Sequence, residues 1–562
     1  MSEILTALSP WSEIDASKIV GLSPRLEDLN GKTIGMFSDF MDSATYMLKA
    51  VEAEILKRYP NAKFSYLQYK TETTRILDDE EFYPGYKEWI KGVDAVVAFY
   101  GAVPSSSLFL GYNAAYMEKD GKPTVMGVMP RTYSTAVRGC KAIGVPYLRT
   151  FSYVSPADIW GHQEKQEVVD AMAPIVAEVT NQVIEGLTKP LSDEEKNPPK
   201  VNQSYATDTY SGTAREIRDK FYSLGFTNGA PVEIPTEEAV KEMLTGTDLD
   251  PETVIGYIPP KMGKATVKAI AINAVMAGCL PTYLPVLIAA VKGALDKKIY
   301  LEGWTCSQST WGPMLTISGK IVSDIGLNTG TNALSPYYKA NATIGRAFGY
   351  IMMNIGGLRP GIEDLSEAGH ENRLGIAIGD SYDENPWGPL HTLYGEDEDA
   401  SAVTMFWPQE HRTISGRTTA DFLTGMCEIN PYGWDPGAAF IFTPKCAQMF
   451  ANEGWTREKI LDYVVEYARH PASQVDISWL VNNNHPPKSV DIPVNMNHST
   501  RIFWTNEHML ALVAGGHAGA MMTVFAGGGD HGGPSCTKIE LPKNWDMLVE
   551  KYKTVRPEYI DY

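Results

Sequence analysis

Apolar positions along the first third of the chain fall into short buried runs separated by amphipathic stretches. The runs KTIGMFSDF, KFSYLQY, VDAVVAFYGA, PTVMGVM and YLRTFS predict strands at Lys32–Phe40, Lys63–Tyr69, Val93–Ala102, Pro123–Met129 and Tyr147–Ser152. Between them, apolar residues three and four apart predict helices over Ser43–Arg58, Tyr86–Lys91, Ser107–Lys119, Tyr133–Ala142 and Gln163–Leu187. This α/β alternation implies a doubly wound parallel sheet, Rossmann- or flavodoxin-like, with helices on both faces. Right-handed crossovers bring the loops after the strands to one rim. That rim carries Asp39, Asp42 and Ser43, then Ser105, Ser106 and Ser107, then Arg131, Thr132 and Tyr133.

The pattern changes near residue 190. Residues 191–211 are polar and rich in Pro, Asp, Glu and Ser, the composition of a linker. They divide a first domain, residues 1–190, from a second, residues 212–562. The second opens on a predicted helix, Thr213–Leu224, and passes through a long apolar stretch, Val267–Leu295. Asn273, Pro281, Pro285, Lys268 and Lys292 interrupt that stretch, so it reads as two buried helices rather than a membrane span. Later runs, GIAIGD, SAVTMFWP, AAFIFTP and MMTVFAG, read as strands alternating with helices such as Thr456–Ala468. A larger α/β or α+β domain without an internal repeat is expected, and it is the expected place of the main site.

Charge and cysteine usage narrow the function class. The chain has 562 residues, 49 basic and 68 acidic, for a formal charge of −19. It has no Lys/Arg-rich run, which argues against nucleic acid, and its acidity argues against anionic membranes. Its six cysteines are dispersed without a CxxC pair, as free thiols in a reducing cytosol are. The opening MSEILTALSPWSEID lacks a basic segment followed by an apolar core, so a cytoplasmic location is expected.

Candidate chemistry sits on five stretches. Ser105, Ser106 and Ser107 stand before a predicted helix, where hydroxyls and free N–H groups can cradle an anion or simply cap the helix. In GWTCSQSTWGPM, Cys306 lies in a small polar run; backbone donors there would lower its pKa and suit a nucleophile or a metal thiolate. A buried structural thiol is the equal alternative. In NTGTNALSPYYKANATIGR, Asn341 opens a helix and Arg346 follows on it, placed to clamp a carboxylate or phosphate. In GDSYDENPWGPLHTLYG, Glu384 and His391 could do acid–base work, with Trp387 as a pocket wall. The Gly-rich EHMLALVAGGHAGAMMTVFAGGGDHGGPSCTK offers His517 and His531 as metal candidates, at spacings that match no standard zinc pattern.

The N-terminal region resembles the UGSC family of (seleno)proteins, whose pattern reads LNGKxIG, DAVVxGxGDUGSCT and EKxGxPTV. The matching residues are Leu29–Gly35, Asp94–Val97 and Glu118–Val125. The resemblance places the family's U-G-S-C on Val103, Pro104, Ser105 and Ser106. It implies an α/β domain and, in relatives, a redox pair that here has become Val103 and Ser106. Such a pair works by thiolate attack and resolution, which neither residue can perform. The second region resembles a domain related to this family, through Gly225–Val232, Ala271–Pro285, Ala340–Ala347, Pro386–His391 and Gly454–Thr456. A wider analogy is to selenoprotein reductases that cleave a carbon–heteroatom bond.

The resulting expectation is a cytosolic enzyme acting on a small anionic organic molecule, of lyase or reductase type at a carbon–heteroatom bond. Cys306, Glu384 and His391 would be catalytic. Ser105–Ser107, Asn341, Arg346 and Trp387 would bind substrate. The alternatives are a metalloenzyme holding a divalent metal on His, Cys and Glu, and a non-catalytic binding protein descended from a redox family. A homodimer is the default oligomeric expectation.

Overall fold

The apolar runs of the first third become β2 (Thr33–Ser38), β3 (Lys63–Gln68), β4 (Ala95–Phe99), β5 (Thr124–Val128) and β6 (Arg149–Ser152), preceded by β1 (Leu5–Leu8). These belong to a computed structural model that describes residues 3–15, 18–38, 42–69, 75–99, 103–154, 165–200, 202–429, 436–471, 499–527, 533–557 and 560. Strands β2 to β6 pair in parallel in the order β3-β2-β4-β5-β6. Between and after them come α1 (Asp42–Arg58), α2 (Tyr83–Lys91), α3 (Pro104–Lys119), α4 (Tyr133–Ala142), α5 (Lys165–Met172) and α6 (Val176–Thr188). The predicted single helix over 163–187 is two, because Pro174 has no N–H to continue the ladder.

This order is the flavodoxin-like one, and it switches direction between β2 and β4. Alternate residues of the strands feed opposite cores. Ile34, Met36, Val97 and Phe99 pack with α1, α5 and α6, whereas Phe37, Val96 and Ala98 pack with α2, α3 and α4. Helices α3 and α4 cross closely at two glycines. A Cβ on Gly111 would lie 2.2 Å from the Ala136 carbonyl oxygen, and one on Gly139 would lie 2.5 Å from that of Leu108.

The polar residues 191–211 carry α7 (Asp193–Lys196), α8 (Ser204–Thr207) and the start of β7 (Thr209–Gly212). β7 pairs antiparallel with β1. Glu195 meets Arg149 at 2.8 Å, and the Gln203 amide bonds both the N–H and the carbonyl of Ile14. The segment therefore straps the N-terminus to the second region, and the α2–α4 core runs on without a break into that region.

The second region begins with α9 (Ala214–Ser223), α10 (Glu237–Met243) and the hairpin β8 (Val254–Ile258) and β9 (Gly263–Thr266). The apolar stretch forms α11 (Val267–Ala277) and α12 (Leu284–Ala294), parted at Gly278 and a 3-10 turn at Pro281–Tyr283. Among the described residues no helix is long and apolar enough to cross a membrane. Then come α13 (Leu301–Cys306), β10 (Met314–Ser318), α14 (Ile321–Asp324), α15 (Lys339–Asn354), β11 (Ile376–Gly379), β12 (Ala402–Phe406), β13 (Glu410–Ser415), α16 (Thr419–Cys427), β14 (Ala438–Phe442), α17 (Pro444–Asn452) and α18 (Arg457–Tyr467). A short pair, β15 (Arg469–Pro471) and β16 (Ser499–Arg501), precedes β17 (Met509–Val513), β18 (Met521–Ala526) and β19 (Ser535–Lys538).

Two four-stranded sheets result, ordered β11-β10-β12-β19 and β17-β14-β18-β13. Each has one parallel pair followed by two antiparallel strands. They face each other across Met314, Ile378, Phe406, Ile441, Leu510 and Phe525. Helices α12 and α15 cover the first sheet, and α16, α17 and α18 the second. The shared topology of the two sheets leaves no repeat in the sequence, because alternating apolar runs of any composition can fill it.

Candidate active site

The two parallel pairs end at a common rim, and Asp380 makes them do so. It follows β11 directly. Its carboxylate accepts the N–H groups of Val513, at the end of β17, and of Leu390, at 2.9 and 2.8 Å. The Asn385 amide donates to both its oxygens at 2.9 and 3.1 Å. The backbone continues the link, with Ser381 N–H donating to the Val513 carbonyl at 2.7 Å. Asp380 is fully buried, and burial pushes its carboxyl up to about 6 against the pull of Arg457, whose Nη2 lies 3.7 Å away. Arg457, on the first turn of α18, spends its other donors on the carbonyls of Ala511, Trp387, Gly388 and Pro389. The loop from Ser381 to Pro389 is thus held at both its carboxylate and its carbonyls.

On this held loop stands Glu384. Its carboxylate meets His517 Nε2 at 3.3 Å, and the two side chains are 43% and 66% exposed, open enough to meet a ligand. His517 comes from the Gly-rich turn after β17. That turn is fixed by Gly515, which sits at φ +127° and donates its N–H to the Thr329 carbonyl at 2.7 Å. The Asn- and Thr-bearing loop 328–333 and the turn 514–519 therefore lie side by side at the same rim. A carboxylate and an imidazole in contact can pass a proton between a substrate and water.

The other expected residues fall in different places. Trp387 is pinned as a wall, its Nε1 donating to the Trp455 carbonyl at 2.8 Å and its ring standing edge-on to Phe442. His391 is fully buried. Its Nε2 faces the Asp397 carbonyl at 3.0 Å and so carries the proton, leaving Nδ1 to accept from the Ser318 hydroxyl at 2.9 Å. Burial lowers its pKa and keeps it neutral, so it fastens the loop and does not meet Glu384. Asn341 is also consumed internally: it accepts from Asn328 N–H and donates to the carbonyls of Asn328, Ala333 and Ala377. Arg346 donates to the Pro231 carbonyl and the Tyr350 hydroxyl, in the region of Asn228 rather than beside Asn341.

Cys306 is the last residue of α13. Its thiol, fully buried, donates to the Glu302 carbonyl at 3.0 Å. It therefore meets a carbonyl where backbone N–H donors were expected, and the carboxyl end of a helix disfavours a thiolate. Cys306 enters β10 from its amino end, while Glu384 leaves β11 at its carboxyl end, so the parallel pair separates them. Around Cys306 the second region meets α3. Tyr300 stacks on Phe109 at 5.9 Å, and the buried Tyr112 hydroxyl has no hydrogen-bond partner among the described residues.

At the flavodoxin-like switch point, α3 begins earlier than predicted, because Pro104 is well suited to the first helical position. Ser105, Ser106 and Ser107 thus lie within the first turn. Ser106 accepts from Val103 N–H at 3.3 Å and donates to the Val103 carbonyl at 3.1 Å, which is capping work. Ser107 is fully buried, leaving only Ser105 half-exposed. His531 lies outside the described residues, as does Asp39. Among the described residues no group of three or more His, Cys, Asp or Glu is placed to hold a metal ion.

Asp380 and Arg457 were not singled out from sequence. An Asp directly after the apolar run GIAIG was the available signal for the first. For Arg457 there was none, since its acceptors are carbonyls far away in sequence.

The N-terminal stretches that carry the resemblance have structural work as well. The Asp94 carboxylate accepts Thr33 N–H at 2.8 Å, joining the starts of β2 and β4. Glu118 accepts the N–H groups of Ser23 and Thr124 at 2.6 and 2.7 Å and pairs with Arg25 at 3.2 Å, with both side chains buried. Gly31 and Gly121 turn the chain at φ +69° and +83°. No curated protein matches the chain. The model of the UGSC family matches residues 6–182, the segment that holds the five-stranded sheet and these turns.

Proposed function

We propose that this protein is an enzyme that makes or breaks a carbon–heteroatom bond in a small anionic organic molecule, with Glu384 and His517 as its proton-handling pair. The observation that carries this reading is their contact at 3.3 Å on a rim fixed by the buried Asp380 and Arg457. In an elimination, one of the pair would take a proton from carbon while the other, protonated, would give one to the departing heteroatom. Addition would run the same steps backwards. The loops 328–333 and 514–519 bring hydroxyls and backbone amides to the same rim, which suits a negatively charged group on the substrate.

The lyase reading is favoured over the reductase reading by the thiols. Val103 and Ser106 provide no exchange pair, and Cys306 is a buried thiol that donates its hydrogen bond to the Glu302 carbonyl. A metalloenzyme would have to complete a ligand set around His517 and Glu384 from residues beyond those described.

The test is a screen of small carboxylic acids bearing C–O, C–N or C–S bonds, followed by NMR for turnover. Glu384→Gln and His517→Asn should each lower conversion of any substrate found about a hundredfold or more. Turnover that survives in both variants would place the chemistry elsewhere.

A further inference from the structure

The two four-stranded sheets of the second region match residue by residue. Ile317 pairs with Gly379 and Val403 in the first, and Phe442 pairs with Val513 and Met522 in the second. Laying Ile317 on Phe442 therefore lays Ile376 on Leu510, Ile378 on Leu512 and Phe406 on Phe525. All of these face the core that the sheets share. The backbone bond that follows is the same in both: Asp380 N–H donates to the Ile317 carbonyl at 2.8 Å, and Ala514 N–H to that of Phe442 at 2.9 Å. The fourth strands are exchanged. β13 follows β12 in the chain and pairs with β18, while β19 follows β18 and pairs with β12. A reciprocal exchange between two like units closes on a two-fold axis. The sheets thus form two halves about an approximate dyad, joined where β11 and β17 end by the bonds of Asp380 and Ser381 to Val513.

Glu384 and His517 stand on the loops that this dyad interchanges, the fifth residue after β11 and the fourth after β17. Loops related by a two-fold axis reach it from opposite sides. We propose that Glu384 and His517 act on opposite faces of the substrate, so that hydrogen and heteroatom leave, or add, anti to each other. This rests on the reading of the two residues as the proton-handling pair. With His517 protonated, Glu384 takes the hydrogen from carbon as a proton, and the electron pair of that C–H bond becomes the second bond of C=C. The heteroatom leaves with the pair of its own bond and takes the proton from His517 Nε2. Glu384 then hands its proton to His517 across their 3.3 Å contact, which restores both. In the anti arrangement the breaking C–H bond is aligned with the C–heteroatom bond, as a near-attack geometry requires. The substrate class narrows to acids that present hydrogen and leaving group on opposite faces.

Fumarate, maleate and crotonate are the probes, each incubated with ammonium chloride in D2O and the full-length protein. The vicinal proton coupling of the product gives the side on which deuterium entered relative to nitrogen or oxygen. Deuterium should stand anti to the heteroatom in a single diastereomer. Glu384→Asp, which keeps a carboxylate, should slow the addition and leave its course anti, whereas Glu384→Gln should slow it about a hundredfold or more. An acid returned by the screen of saturated acids joins the panel through its own unsaturated product. Syn addition, or a mixture of diastereomers, would overturn the proposal and leave the pair as the catalytic groups. No addition to any of these acids, together with no turnover in that screen, would overturn the pair itself and this proposal with it.

Discussion

Arg457 Nη2 lies 3.7 Å from Asp380 Oδ2, with the two side chains only 3% and 1% exposed. The pair joins α18 to the loop after β11, the loop that carries Glu384. A buried carboxylate is expensive unless its oxygens are filled, and here two backbone N–H groups, an amide and the guanidinium fill them.

Stability should report this through pH. The folded carboxyl of Asp380 is raised from 3.8 to about 6, so the folded state holds its proton longer than the unfolded one. Its contribution is full below 3.8 and is lost as pH rises through about 6. The shift corresponds to about 3 kcal/mol. The stability of the wild type minus that of Asp380→Asn, from urea melts, should therefore fall by that amount across the window. Glu195 acts in the opposite sense, its stabilisation being lost as pH falls through about 2, but it is common to both proteins and cancels. A flat difference would show that Asp380 titrates as it does in the unfolded chain.

Glu384 and His517 are partly exposed and leave the core untouched. Glu384→Gln and His517→Asn should keep the melting temperature of the wild type. Turnover of a substrate should drop about a hundredfold or more in each. A variant that loses activity together with its melting temperature would assign these residues to the scaffold instead.

The six thiols should sort by access. Cys140, Cys279, Cys306 and Cys446 are buried, whereas Cys427 and Cys536 are half-buried. Burial pushes the latter two up to about 11, so their labelling by iodoacetamide should be slow but should still come first. Cys306 should label only on unfolding. Labelling of native Cys306 ahead of Cys427 and Cys536 would return it to the role of nucleophile.

Removing the Glu118 carboxylate leaves Arg25, Ser23 and Thr124 without their shared acceptor. Glu118→Ala should cost about 3–5 kcal/mol in denaturant melts, as breaking one partner of a buried pair does. Glu118→Gln, which keeps an acceptor, should recover part of this. A cost below about 1 kcal/mol, the level of an exposed pair, would show that water reaches the carboxylate.

The parallel sheet, its helices and the break at Pro281 were legible because each rests on neighbours in sequence: a run of apolar residues, a helical spacing, a proline. The same local signals picked out Glu384 and Trp387 on their loop. His391 and Asn341 carried equally good local signals and proved to be fasteners. A buried imidazole and a solvated one look alike until the chain around them is placed. Cys306 failed for the related reason that a small polar run does not say whether donors or carbonyls face the thiol.

The sequence by itself determined the α/β pattern, the dispersed thiols, and the likeness of the N-terminal segment to the UGSC family through stretches around Gly31 and Gly121. The tertiary structure decided what meets at the rim. Asp380, Glu384, Arg457, Val513 and His517 span more than 130 positions, and no periodicity links them. Buried charges must find partners wherever the packed sheets bring donors, so the contacts that fix a site are settled by packing and desolvation rather than by local preference.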